Sequence, residues 1–132
     1  MTEQHWSHRV SGVQQLLDAR HLLATHLERH GVDSDPIDDA ILVLSELATN
    51  AFEHDNATEV AIDVTVAAAT ITIDTAHAAD DERKAGSPDP SAMMPPPTQV
   101  RGRGLAIVAA IASQYETRSS GGVRYNHVAL AR

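Results

Sequence analysis

The stretch from Ile37 to His54 constrains this chain most, because it carries two helical patterns at once. Ile37, Ile41, Leu44, Ala48 and Ala51 recur at the spacing of an apolar helix stripe. Glu46, Asn50 and His54 fall four residues apart. Each such step advances only about 40° around an α-helix, so these three side chains form one ridge on the side opposite the stripe. The start and stop signals agree: Asp35 as a cap, Pro36 at the first helical position, Asp38 and Asp39 at the positive end of the dipole, and Asp55-Asn56 as the break. A carboxylate and a carboxamide on such a ridge have two readings. One is a solvated polar face; the other is a ligand site with a proton acceptor beside a cation-binding oxygen.

The rest of the chain predicts an α/β domain. A first helix is expected from Ser11, with Gln14 at capping-box spacing and Val13, Leu16, Leu17, Leu23, Ala24 and Leu27 at helical intervals, ending at Gly31. Thr58 to Val66 alternates, with Val60, Ile62, Val64 and Val66 on one face, and Thr70 to Asp74 continues the pattern through Ile71 and Ile73. The link Ala67-Ala68-Ala69 suits a hairpin. Gln114 to Arg118 and Val123 to Leu130 read as a second hairpin across Ser119-Ser120-Gly121-Gly122. Met1 to Val10 is polar and weakly patterned, a short strand or a loose end.

At 132 residues the chain fits one domain, residues 1–132, with one core. Aromatics make up 3% of it (Trp6, Phe52, Tyr115 and Tyr125), so aliphatic side chains must fill that core. A formal net charge of -8 argues against direct nucleic-acid binding and leaves room for a basic protein partner. With no cysteine, disulfides and thiolate zinc sites are excluded, and none of the 8 histidines falls in an HExxH motif. No apolar run approaches the roughly 18 residues of a membrane span, and Met1 to His8 lacks a signal-peptide core, so a cytoplasmic location is expected.

Ala76 to Arg101 changes character, holding Pro88, Pro90, Pro95, Pro96 and Pro97 beside Asp80, Asp81, Glu82, Gly86 and Asp89. A structureless insert of this length inside a small domain is typically a lid, a binding loop or disorder. Arg101-Gly102-Arg103-Gly104 then opens an apolar helix from Leu105 to Ala112. Glycines at a helix start let backbone approach a ligand, and the N–H groups there favour anions. Alone, this pattern equally describes a turn.

Taken in order, the acidic-amide helix, a strand ending in Asp74, a proline-rich loop, a glycine-led helix and a terminal hairpin resemble the GHKL ATPase superfamily. That superfamily includes gyrase, Hsp90, histidine kinases and MutL. The short form resembles most the anti-sigma factor and serine-protein kinase branch of the RsbW and SpoIIAB type. The resemblance covers Ser11 to Leu130. It implies a two-layer α/β sandwich (the Bergerat ATP-binding fold) with a mixed, mostly antiparallel sheet and helices on one face. It further implies ATP and Mg²⁺ as cofactors, Glu46 as general base and Asn50 as the Mg²⁺ ligand. Asp74 would accept the adenine amino group. Gly102, Gly104 and Leu105 would receive phosphates on backbone N–H groups, with Arg103 and Arg101 adding charge, and residues 79–101 would form the ATP lid. An alternative sigma factor, a STAS-type antagonist and a second copy of the chain are the partners implied.

Two departures stand out. The first glycine box, Asp-x-Gly-x-Gly in the family, reads Asp74-Thr75-Ala76-His77-Ala78, so Ala76 and Ala78 replace both glycines. Alanine there would be strained by roughly 1 kcal/mol or more if the pocket required positive φ. His77 is unusual in that box, either beside the base or a loop residue without a role. Val123 stands near the base where a threonine is common. Retention of Glu46 and Asn50 favours an active serine/threonine-protein kinase; the altered box favours a degenerate binding module that sequesters a partner.

Overall fold

The computed structural model describes residues 3–79 and 103–132. Five strands and three helices follow the order β1 (Gln4–Val10), α1 (Val13–Arg29), α2 (Ser34–His54), β2 (Val60–Val66), β3 (Thr70–Ala78), α3 (Arg103–Ile111), β4 (Gln114–Ser120) and β5 (Val123–Ala131). The strands form one sheet in the order β1-β2-β3-β5-β4. This is the two-layer α/β sandwich expected, with one difference. All four ladders are antiparallel, so the sheet is not mixed among the described residues.

Alternation sets the layers. Val60, Ile62, Val64 and Val66 of β2, Ile71 and Ile73 of β3, and Val128 and Leu130 of β5 are buried under the helices. The two hairpins close as their sequences require. Gly121 and Gly122 have φ of 58° and 78°, the paired left-handed geometry of a two-residue turn between Ser120 and Val123. The Ala67 N–H donates to the Thr70 carbonyl at 2.9 Å, tying β2 to β3. The polar N-terminal segment is an edge strand, and Trp6, opposite Val64, packs against the core.

Helix α2 is the central helix of the upper layer. Ile37, Ala40, Val43, Leu44, Leu47, Ala48 and Ala51 are buried, a broader stripe than the sequence pattern outlined, while Ile41 is half-buried. It begins one residue before Asp35, with Asp33 at the cap position and no side-chain cap bond. Helix α1 buries Leu16, Ala19, Leu23 and Leu27, whereas Val13 and Leu17, expected in its stripe, are exposed. The buried stripe is narrower than the pattern suggested, running through Leu16, Ala19, Leu23 and Leu27 at steps of three and four with Leu17 outside it. The Ser11 N–H donates to Gln15 Oε1 at 2.7 Å, so Gln15 rather than Gln14 closes that start.

Near the C-terminus of α1, burial first, then His30 and Arg29, hold His26 below its ordinary value of 6.5. The folded state therefore binds fewer protons than the unfolded chain just below that value. The contribution is complete above about pH 6.5 and is lost as pH falls, so His26→Gln should flatten the acid limb of a stability–pH curve measured by urea unfolding. Leu44, fully buried, is expected to cost about 2–5 kcal/mol on truncation to alanine, read by the same method.

Candidate functional site

One end of the helix-facing sheet surface is polar. Thr75 and His77 continue the inward parity of Ile71 and Ile73, and Asn126 and Arg124 continue that of Leu130 and Val128. Cross-strand register aligns them in two rows, Thr75–Asn126–Thr117 and His77–Arg124–Ser119. Thr75, His77, Arg124 and Asn126 are buried, as is Asp55 just past the end of α2. Buried polar groups destabilise a fold unless they are paired, and several of these atoms are bonded to one another. Thr117 Oγ1 donates to Asn126 Oδ1 at 2.9 Å, and Asn126 Nδ2 donates to Thr75 Oγ1 at 3.1 Å. His77 Nε2 lies 2.7 Å from Asp55 Oδ2, and Arg124 Nε lies 3.6 Å from the same oxygen.

Above this floor stands the flank of α2 that carries Glu46, Asn50 and His54, all half-buried. The first turn of α3 faces it. A methyl group built on Gly104 would overlap the Glu46 carboxylate, so glycine is required there for the approach of the two helices with Glu46 in this position. Two sequence-predicted elements more than fifty positions apart thus meet. Leu105 shares the same first turn. Arg103 opens α3. Arg101, Gly102 and residues 80–100 of the expected lid lie outside the described residues. Ala79 of that segment is buried and its N–H donates to the Gly122 carbonyl at 2.9 Å.

The remaining predicted positions go elsewhere. Asp74, Ala76, Ala78 and Val123 have the opposite parity and lie on the sheet face turned away from the helices. Asp74 Oδ1 is 2.6 Å from His127 Nδ1, and both residues line an open concavity of about 470 Å³ with Asp63, Glu116, Arg118 and Tyr125. The physical reason is the two-residue period: with Ile73 inward, Asp74 must point outward. β3 also runs as regular ladder through Ala78, and Asn56 is the one non-glycine residue of positive φ among those described, so Ala76 and Ala78 carry no left-handed strain. The histidine between them is not a loop residue but a buried strand residue paired to Asp55. Sequence reasoning passed over Asp55, Thr75, Arg124 and Asn126. Polar residues at inward-parity positions toward one end of β3 and β5 were the available signal.

The fold is thus an α/β sandwich with a row of bonded polar groups on the helix-facing side of the sheet and a glycine-led helix meeting Glu46 of α2. The sequence profile of the histidine kinase-like ATPase domain matches residues 11–131, nearly the whole chain, and the protein belongs to that family. No curated protein matches it. The match supports the superfamily recognised from the sequence.

The Gly104 contact is testable. The overlapping atoms belong to the end of a flexible side chain, so Gly104→Ala should leave stability within about 1 kcal/mol of wild type, aided by alanine's helix propensity. In a Glu46→Ala background the same substitution should be more favourable. Urea unfolding of the double-mutant cycle should give a coupling of about 0.5 kcal/mol or more, and strict additivity would contradict the contact.

Proposed function

We propose that the protein is an ATP-binding regulator that sequesters an alternative sigma factor and phosphorylates a serine or threonine of a STAS-type antagonist. The carrying observation is the juxtaposition of Glu46 with Gly104 at the start of α3, in a chain of the histidine kinase-like ATPase family. The residues there fit a nucleotide's phosphate end. The opening turn of α3 offers N–H groups at Gly104 and Leu105 for phosphate oxygens, aided by the helix dipole. Among the described residues no cluster of three or more His, Cys, Asp or Glu could hold a metal ion. A cation at Asn50 would then rest on one amide oxygen, phosphate oxygens and water, which suits Mg²⁺. Bound Mg-ATP would supply the transferable phosphoryl group and the cation that offsets its charge. Glu46 would draw the proton from the attacking hydroxyl and orient that oxygen. The sigma factor, the antagonist and a homodimer rest on the family resemblance.

A second reading, a binding module with weak nucleotide affinity, is favoured by one observation. The helix-facing end of β3 carries His77 paired to Asp55 instead of a lone carboxylate. Calorimetric titration with Mg-ATP separates the two. Saturable binding, weakened at least about tenfold (roughly 1.4 kcal/mol) by Asn50→Ala, is expected for the first reading. No heat and no thermal shift at millimolar nucleotide would leave the binding module.

A further inference from the structure

We propose that His77 reads the base of the bound nucleotide, its Nδ1 accepting a hydrogen bond from an exocyclic amino group such as that of adenine. The inference rests on the nucleotide reading above. His77 is 4% exposed, on the helix-facing side of β3. Its Nε2 lies 2.7 Å from Asp55 Oδ2, and a carboxylate only accepts, so Nε2 carries the proton. Arg124 Nε lies 3.6 Å from the same oxygen. In the Nε2–H tautomer of imidazole the other ring nitrogen keeps its lone pair. Nδ1 is then a lone-pair acceptor. It is buried and has no hydrogen-bond partner among the described residues. A buried acceptor without a donor is unfavourable, and a ligand N–H is what satisfies it.

The position along α2 is consistent with this. Asp55 follows the last turn of the helix, about 13 Å beyond Glu46 at the α-helical rise. An extended nucleoside triphosphate with its terminal phosphate by Glu46 and Gly104 brings its base to that end. Asp55 is the positioning residue, because it fixes the tautomer. Where a carboxylate reader would accept through either oxygen, His77 offers one directional lone pair. A 6-oxo base turns a carbonyl toward it, acceptor against acceptor.

The test compares Mg-ATP with Mg-inosine triphosphate, which replaces the 6-amino group by an oxygen, using calorimetry on the full chain. ATP is expected to bind at least about tenfold tighter (roughly 1.4 kcal/mol). His77→Phe should bring the two affinities to within about twofold while triphosphate binding persists. A measurement on the unaltered protein guards against a variant that does not fold. In ¹⁵N spectra of labelled histidine, Nδ1 of His77 should be unprotonated without ligand and should shift on adding ATP but not the inosine analogue. Equal affinity of wild type for the two nucleotides, or an Nδ1 signal unmoved by ATP, overturns the assignment and leaves the triphosphate site standing. Failure of both nucleotides to bind overturns the assignment together with the nucleotide reading.

Discussion

The seating of α2 on the sheet is the constraint from which the rest follows. Leu44, Leu47, Ala48 and Ala51 are buried to 2% exposure or less, in one apolar cluster with the inward aliphatic residues of β2, β3 and β5. Small residues at 48 and 51 let the helix lie close to the strands. With that face fixed, Glu46 lies on the flank that meets α3. The close approach there is possible because position 104 has no side chain. Apolar burial, which has no directional preference of its own, thus aims a polar group whose chemistry is directional.

The polar end of the sheet follows a different logic. A buried ion pair is weak support for stability, since removing its members from water offsets most of their attraction. Asp55, His77 and Arg124 would be replaceable by aliphatic residues if packing were their only task. Beside them, Thr75, Asn126 and Thr117 form a bonded row across three strands. Polar side chains so arranged hold fixed donor and acceptor directions, the property a recognition surface needs and a core does not. The start of α3, by contrast, presents backbone N–H groups and a helix dipole, which read charge rather than shape.

The family match establishes the histidine kinase-like ATPase domain across residues 11–131. The geometry distinguishes the two ends of the site: one keeps the carboxylate, the amide and the glycine approach, while the other carries an imidazole–carboxylate pair. The ridge of Glu46 and Asn50 is a local object that helical spacing defines. Asp74 matches the motif letter but lies on the outer face of its strand.

Much of this was legible in the residues. The α2 ridge, the alternation of β2 and β3, the glycine turn at 121–122 and the glycine at the head of α3 are all local patterns, decided by interactions within a few positions. Even the outward placement of Asp74 was implicit, since Ile73 beside it is a core residue and a strand cannot point both inward. Tertiary structure alone decided that Asp55 meets His77 and Arg124, and that Gly104 meets Glu46. Those contacts join segments separated by 22 to more than 50 positions. They depend on sheet order and on how far each helix settles onto the strands, and no local pattern encodes either.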